Sequence, residues 1–294
     1  MPELPDITLY LSQLTPRILH QPLLRLTIRN PFVLRSVDPP LSALEGKRVI
    51  GLSRMGKRIV FSLEGDVFVV IHLMIAGRFR WYPPGKKAGG KLVLAVFEFT
   101  DGLLFLTEAG SKRRASIHIV SGNQALQQFE RGGLEVLEAD LASFAERLAS
   151  ESHTLKRALT DPRLFSGIGN AYSDEILHRA RLSPLTLTRR LSEGDVATLY
   201  RATRETLTDW IERLRRETGE TFPEKVTAFR DGMAVHGRFG LPCPDCGTPV
   251  QRIRYAENET NYCARCQTGG RLLADRAMSR LLKQDWPRSI DEVE

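Results

Sequence analysis

At 294 residues, with 42% hydrophobic and 26% charged residues, the chain has an ordinary globular composition and is long enough for two domains. A formal charge of +7 and a pI near 9.4 favour a polyanionic partner. The longest apolar run, Val67 to Ala76, is broken by His72 and too short to span a bilayer, and the first residues lack the basic start and apolar core of a secretory signal. Membrane and secreted classes are thereby set aside, and a cytosolic location is expected.

The chain opens Met1-Pro2-Glu3. Methionine before proline is normally trimmed, which would leave the secondary amine of Pro2 as the N-terminus, with the Glu3 carboxylate beside it. Such an amine can attack a carbonyl-like carbon and yield an iminium, but proline in the first turn of a helix is also an ordinary structural choice. Apolar Leu4, Ile7, Leu11 and Leu14 predict a helix over 3–15 that Pro16 closes. From Leu23 to Val120 the pattern is strand-like, with strands predicted over 24–29, 58–63, 67–73, 92–99, 103–107 and 116–120, separated by turn signals such as Glu64-Gly-Asp66. Pro83 to Gly90 reads as a basic loop. Helices follow over 124–131, 140–150, 153–160, 170–181 and 193–217, so an α domain succeeds a β domain with the boundary near 135–150. A last helix is predicted over 271–283, apolar at Leu272, Leu273, Ala277, Leu281 and Leu282, before Trp286 and an acidic tail.

Cys243-Pro-Asp-Cys246, sixteen residues, then Cys263-Ala-Arg-Cys266 is the strongest local signal. The spacing suits two knuckles presenting four thiolates to one zinc, and a closed four-cysteine set is structural rather than catalytic. The segment between them reads as a β-hairpin whose Arg252 and Arg254 either face phosphate or form a solvated surface. Ser166-Gly-Ile-Gly-Asn-Ala-Tyr172 lies just ahead of an amphipathic helix, where Asn170 and the free N–H groups of the helix start can grip an anion. Arg54-Met-Gly-Lys-Arg58 places Lys57 in a glycine-flexed turn at the entry of a strand.

Pro2-Glu-Leu-Pro5, Lys57, His72-Leu73, Gly167-Ile-Gly-Asn170 with Asp174-Glu175, and Cys243 to Cys266 followed by Gln267 occur in one order, and together they resemble the formamidopyrimidine-DNA glycosylase / endonuclease VIII family over residues 1 to about 267. The resemblance implies a multi-domain α+β protein: an N-terminal catalytic β-sandwich with a leading helix (1–135), a helix–two-turns–helix domain (136–236), a four-cysteine zinc finger (237–270) and a C-terminal helical extension (271–294), with DNA in the cleft between. It implies a bifunctional glycosylase and abasic-site lyase of base-excision repair. Pro2 would attack C1′ of the damaged nucleoside, Glu3 would protonate the sugar ring oxygen, and Lys57 would hold the phosphate beside the lesion. Asn170, Arg113, Arg114, Arg252, Arg254, Asn258 and Ile75 would face the DNA, and one structural Zn2+ would sit on Cys243, Cys246, Cys263 and Cys266. The implied partner is damaged double-stranded DNA. The chain is expected to be a nucleoid-associated monomer, its terminal helix either packing on the α domain or docking a repair partner.

Four positions depart from the family pattern. The glutamate that closes Pro-Glu-Leu-Pro-Glu is Asp6; the wedge methionine aligns with Ile75, Met74 lying one place early; and the zinc-hairpin arginine aligns with Asn258. The Arg-Phe pair that fills the gap of an extruded base is not recognisable: Thr107 to Ala115 carries Lys112, Arg113 and Arg114 and no aromatic residue. Chemistry at Pro2 survives these changes, whereas lesion choice is expected to shift away from 8-oxoguanine opposite cytosine. The alternative function is a damaged-DNA binder that keeps the fold without turnover.

Overall fold

The structure, a computed structural model, describes residues 1–87, 89–110, 112–224, 226–227, 229–255 and 258–292. The chain divides into two compact units, Met1–Arg131 with Trp210–Thr227, and Gly132–Asp209 with Ala228–Glu294. Parts of the Pro83–Gly90 loop, the Thr107–Ala115 stretch and the acidic tail lie outside the described residues.

The first unit opens with helix α1 (Leu4–Ile18), then strands β1 (Leu23–Ile28), β2 (Val49–Met55), β3 (Arg58–Leu63), β4 (Val67–His72), β5 (Gly77–Tyr82), β6 (Val93–Phe99), β7 (Gly102–Glu108) and β8 (Ser116–Ser121), and helix α2 (Asn123–Gln127). Among the described residues these strands make two antiparallel four-stranded sheets, ordered β1-β6-β7-β5 and β2-β3-β4-β8. Ile59, Phe61 and Leu63 on β3 point, two residues apart, into one core with Ala95, Phe97 and Phe99 from the other sheet, and the rings of Phe61 and Phe97 meet edge-on at 5.7 Å. The alternate residues Val60, Phe68 and Val70 are buried too, against Met55, Leu126 and Phe129. Both faces being covered, these strands read as continuous apolar runs rather than as alternation.

β2 and β5 escape the sequence pattern. Each is the edge of its sheet, and β5 interleaves Arg78 and Arg80 with Phe79 and Trp81, as charged edge strands do. Helix α1 corrects a second expectation. It does not stop at Pro16 but continues to Ile18, because Leu14 and Ile18 are fully buried on either side of the proline. That burial outweighs the one backbone donor a proline lacks. A strap from the end of the unit covers α1: the Gln13 side chain donates to Gly219 O and Arg17 to Glu220 O, while Phe222 packs on Tyr10 at 6.0 Å.

The second unit contains α3 (Leu141–Ala149), α4 (Leu155–Thr160), α5 (Asn170–Arg179) and the first part of α6 (Glu193–Thr218), then the hairpin β9 (Gln251–Tyr255) and β10 (Asn258–Tyr262), α7 (Ala264–Thr268) and α8 (Arg276–Leu282). The predicted last helix starts five residues late. Residues 271–275 are needed elsewhere: Leu272 N–H donates to Arg288 O, Leu273 N–H donates to the Tyr262 hydroxyl, and the Asp275 carboxylate accepts Arg254 N–H. Leu272, Leu273 and Ile290 thus join Ile253 and Tyr262, so the terminal segment packs chiefly on the zinc-module hairpin.

At the end of β7, Glu108 is 1% exposed and its carboxylate accepts the N–H groups of Arg114 and Ala115 at 3.0 and 3.1 Å. Glu108→Ala leaves two backbone donors without their acceptor and should cost about 2–4 kcal/mol in urea unfolding, while Glu108→Gln, which keeps one acceptor oxygen, should cost clearly less.

Candidate active site and zinc module

The start of α1 gathers the first cluster. Asp6, the third residue of the helix, reaches back so that its Oδ2 accepts the Glu3 N–H at 2.8 Å, half of the reciprocal pattern that closes a helix N-terminus. The shorter arm of an aspartate is therefore sufficient at this position. Glu3 is 2% exposed, Asp6 1%, and Pro2 is buried beside them. The positive end of the helix dipole helps to keep such carboxylates out of water.

The terminal amine, carried here by Met1, is held below its ordinary pKa, chiefly by burial. Glu3 and Asp6 oppose that shift, while Arg78 and, more weakly, Lys57 reinforce it. The sequence-predicted Lys57 does lie near the amine, in the Gly56-Lys57 turn between β2 and β3, where Gly56 takes φ 61° as the first position of a tight hairpin allows. The stronger cation, Arg78, was missed by sequence reasoning. Its only signal was an arginine interleaved in a short aromatic run.

Arg78 also fixes the loop that carries Ile75. Its guanidinium donates to Ile75 O at 3.1 Å and to Gly77 O at 2.6 Å, and Gly77 N–H closes the loop on Leu73 O at 2.9 Å. A Cβ on Gly77 would meet Leu73 O at 2.2 Å, so no other residue fits. Met74 takes the left-handed conformation at φ 55°, which costs a side-chain-bearing residue of the order of 1–2 kcal/mol. Ile75 emerges from this clamp 54% exposed.

His72, at the end of β4, pairs across the sheet with Arg58 and Ser116. Burial, then the cations Arg58 and Lys57, push its pKa down to about 4. Arg113 donates to Lys91 O at 2.7 Å, and Arg114 is anchored through its backbone to Glu108.

In the second unit, two consecutive acids of α5 tie to the helix the segment that leads into the zinc module, and Asp174 also reaches its hairpin. The Glu175 carboxylate accepts the N–H groups of Ala234, Val235 and His236 at 2.7–2.9 Å. Asp174 is fully buried and takes Lys156 Nζ at 2.5 Å and His236 Nδ1 at 2.8 Å, with Asn261 Nδ2 at 3.4 Å. Asn170, the first residue of α5, donates its side-chain amide to Glu259 O on β10 at 2.8 Å. Arg252 and Arg254 lie on one face of β9. The Arg252 guanidinium sits 4.1 Å from the Phe239 ring centre and 3.8 Å from Glu259, whereas Arg254 and Asn258 are exposed. Lys156 and His236 had no sequence signal, since their partner Asp174 is 18 and 62 positions away.

The four cysteine Sγ atoms lie within 4.8 Å of one another, with Cys243–Cys266 at 3.9 Å and Cys246–Cys263 at 3.4 Å. Four 2.3 Å zinc–sulfur bonds at tetrahedral angles place sulfurs about 3.8 Å apart, so the donor set fits zinc in both chemistry and spacing. His178 Nε2 approaches Cys243 Sγ at 3.3 Å from α5, the outer-shell contact expected of a structural thiolate. Burial pushes the Cys263 thiol up to about 11 and Cys266 higher still.

With this geometry in view, the comparisons are consistent from end to end. The formamidopyrimidine-DNA glycosylase N-terminal domain matches residues 1–111, the formamidopyrimidine-DNA glycosylase H2TH domain 133–221, and the zinc finger found in FPG and IleRS 240–269. The fold and site define a DNA glycosylase architecture of sandwich, helical domain and zinc finger. The chain belongs to the formamidopyrimidine-DNA glycosylase family: it is 35% identical over 283 residues to the formamidopyrimidine-DNA glycosylase of Thermus thermophilus, covering 92% of this chain and all of that one. An uncharacterized formamidopyrimidine-DNA glycosylase-like protein of Mycobacterium tuberculosis is 42% identical over 151 residues, 51% of this chain and 94% of that one. Among solved structures, the MutM (FPG) protein of Thermus thermophilus superposes with a TM-score of 0.75 at 33% identity, over 90% of this chain and 98% of that one. A variant FPG of Lactococcus lactis in complex with DNA containing Fapy-dG gives 0.78 at 26% identity, over 91% and 100%. Among the described residues no helix is long and apolar enough to cross a membrane.

The depressed pKa of His72 has a sign. Between about 4 and 6.5 the unfolded chain binds a proton that the folded chain refuses, so stability falls as pH drops through that window and is unaffected by this group above it. Over the whole window the loss should be of the order of 2–3 kcal/mol, read by denaturant unfolding at a series of pH values, and His72→Gln should flatten the profile.

Proposed function

We propose that the chain removes damaged bases from duplex DNA and cleaves the strand at the resulting abasic site, with Pro2 as nucleophile. The observation that supports this most is the buried Glu3 carboxylate beside buried Pro2 and a half-buried terminal amine, carried here by Met1, whose pKa is lowered. A fold that only bound DNA would need neither group out of water. Once Met1 is removed, the neutral Pro2 nitrogen attacks C1′ of the damaged nucleoside. Glu3 passes its carboxyl proton to the sugar ring oxygen as the ring opens, and the bond from C1′ to the base breaks, the base leaving with the proton that the Pro2 nitrogen gives up as the iminium forms. The resulting iminium makes the C2′ hydrogen acidic. Its loss expels the 3′ phosphate by β-elimination, and a further elimination expels the 5′ phosphate before water releases the sugar fragment from proline. Lys57 and Arg78 favour the neutral amine and hold phosphate. Asn170, Arg252, Arg254 and Asn258 follow the backbone from the second unit, and Arg113, Arg114 and Ile75 belong to loops of the first. Flipping a base from a duplex requires such a clamp and a wedge.

Borohydride reduction on an abasic oligonucleotide tests the nucleophile. The native chain should leave a covalent adduct, and N-terminally tagged protein that retains affinity for the same DNA should leave none. Glu3→Gln should lose base removal by at least two orders of magnitude while still nicking a pre-formed abasic site. Equal trapping by the tagged protein would move the nucleophile to a lysine.

The zinc in this reading is structural, one ion on Cys243, Cys246, Cys263 and Cys266. It holds the hairpin that α5 then positions. Because the metal-free thiols of Cys263 and Cys266 are protonated at neutral pH, zinc must displace protons on binding. Metal analysis should find about one zinc per chain. Rebinding to stripped protein in weak buffer should release acid, and disulfides instead of bound metal would refute the assignment.

A further inference from the structure

Residues 271–292 lie past the match to the zinc finger, which ends at 269, and no step of the reaction above uses them. The segment folds back on itself. Arg271 bridges Ser289, Leu272 N–H donates to Arg288 O at 2.9 Å, and Ile290 N–H donates to Gly270 O at 2.8 Å. Arg265, from the second cysteine knuckle, fastens the far end by donating to Asp291 at 2.6 Å. Leu272, Leu273 and Ile290 are thereby laid against Ile253 and Tyr262 of the hairpin.

A two-stranded hairpin is marginal in water unless it packs on something else. The cysteines fix this one only at its base, since Cys263 directly follows β10 and Cys246 lies just ahead of β9. Arg254 stands three residues beyond Gln251, roughly 10 Å up the strand at about 3.3 Å per residue. The bonds from α5 reach the other strand: Asn170 donates to Glu259 O and Asp174 accepts the Asn261 amide, both on β10. β9 carries Arg252 and Arg254, and the terminal segment is what holds it. Ile253 packs among the segment's leucines, and Asp275, 6% exposed, accepts Arg254 N–H on its Oδ2 at 2.9 Å. The Tyr262 hydroxyl accepts Leu273 N–H at 2.8 Å and ties the segment to β10 as well. A buried carboxylate is costly to leave without its donors, so the bond from Arg254 fixes strand and segment together.

We propose that residues 271–292 are a clamp for β9, with Asp275 the positioning residue that holds Arg254, and Arg252 two places before it, against the phosphates of bound DNA. Zinc defines the base of the hairpin and the clamp defines its outer half. The effect falls on affinity and its salt dependence, not on the bond-breaking steps. This rests on the reading of Arg252 and Arg254 as phosphate contacts, but not on the chemistry of Pro2.

The test compares the full chain with one ended by a stop codon after Gly270, and with Asp275→Ala and Asp275→Asn, each assayed for zinc. Binding is measured over a salt series on a duplex carrying a tetrahydrofuran abasic analogue. Arg252→Ala and Arg254→Ala should each lower the log–log salt slope by about one phosphate, and the terminal deletion should lower it by about two. Asp275→Ala should lower it by about one, whereas Asp275→Asn keeps an acceptor oxygen for Arg254 N–H and should stay near wild type. At saturating protein the deletion and both Asp275 variants should cleave a natural abasic duplex at the wild-type single-turnover rate. The Asp275 pair keeps the segment in place and decides the matter if the deletion loses its zinc. Wild-type slopes in the zinc-loaded deletion and in Asp275→Ala would overturn the clamp while leaving the arginines as phosphate contacts. Equal loss in Asp275→Asn would also count against it, because a missing acceptor could not then be the cause. Unchanged slopes in Arg252→Ala and Arg254→Ala would overturn the phosphate contacts, and the clamp with them.

Discussion

Two carboxylates removed from water at the start of α1 are the constraint around which the first unit is arranged. Glu3 and Asp6 together are almost wholly buried, an arrangement that ordinarily costs several kcal/mol per uncompensated charge. A helix N-terminus is one of the few places where it is tolerable, because free N–H groups and the dipole point at the charge. The helix must then be anchored at its far end. Leu14 and Ile18 in the core, the Gly219–Glu220 strap over Gln13 and Arg17, and the Tyr10 hydroxyl accepting Phe79 N–H provide that anchoring. The same bond brings β5 alongside, and with it Arg78, whose side chain both biases the terminal amine and ties down the Ile75 loop. Amine and loop are therefore positioned by one guanidinium.

The second unit relies on buried acids in a different way. Glu175 collects three backbone donors, standing in for missing secondary structure, and Asp174 joins a lysine, a histidine and an amide. A zinc module of some thirty residues has too small a core to hold its own orientation. Here α5 supplies the rest, through Glu175, Asn170 and the approach of His178 to Cys243. Removal of one partner from such a network exposes the others to an uncompensated charge, so these residues behave as a set.

What could be read from the sequence followed the range of the interaction. The inner strands announced themselves because both faces are buried, and the four cysteines because they come as two local pairs. β2 and β5 did not, since β2 is mostly half-buried or exposed and β5 interleaves arginines with aromatic residues. Pro16 misled because the packing of Ile18, which lies beyond it, is a tertiary fact. The 271–275 segment has helical periodicity, yet its backbone groups are taken by Arg288, Tyr262 and, from its Asp275 side chain, Arg254, none of which a local pattern contains. At the candidate site, Glu3 and Lys57 were legible from motifs, whereas Arg78, Lys156 and His236 depend on partners distant in the chain.

The departures from the family pattern are concentrated where structure is least determined by the core. Asp6 closes the start of α1 by accepting the Glu3 N–H. The loops differ in kind. Met74 is forced into a conformation that glycine adopts without strain, and the strain is held by the Arg78 clamp and by Gly77, where a side chain has no room. Strain of this sort persists only where surrounding contacts over-determine it, and its usual consequence is a preorganised tip, here Ile75. Arg114 and Ala115 are anchored from below by Glu108, in a stretch that carries cations where an aromatic would be expected. A sandwich fixes the spacing of its loops but not which loop carries which side chain. Redistribution of ring and cation between neighbouring turns is thus a change the core can accept without repacking.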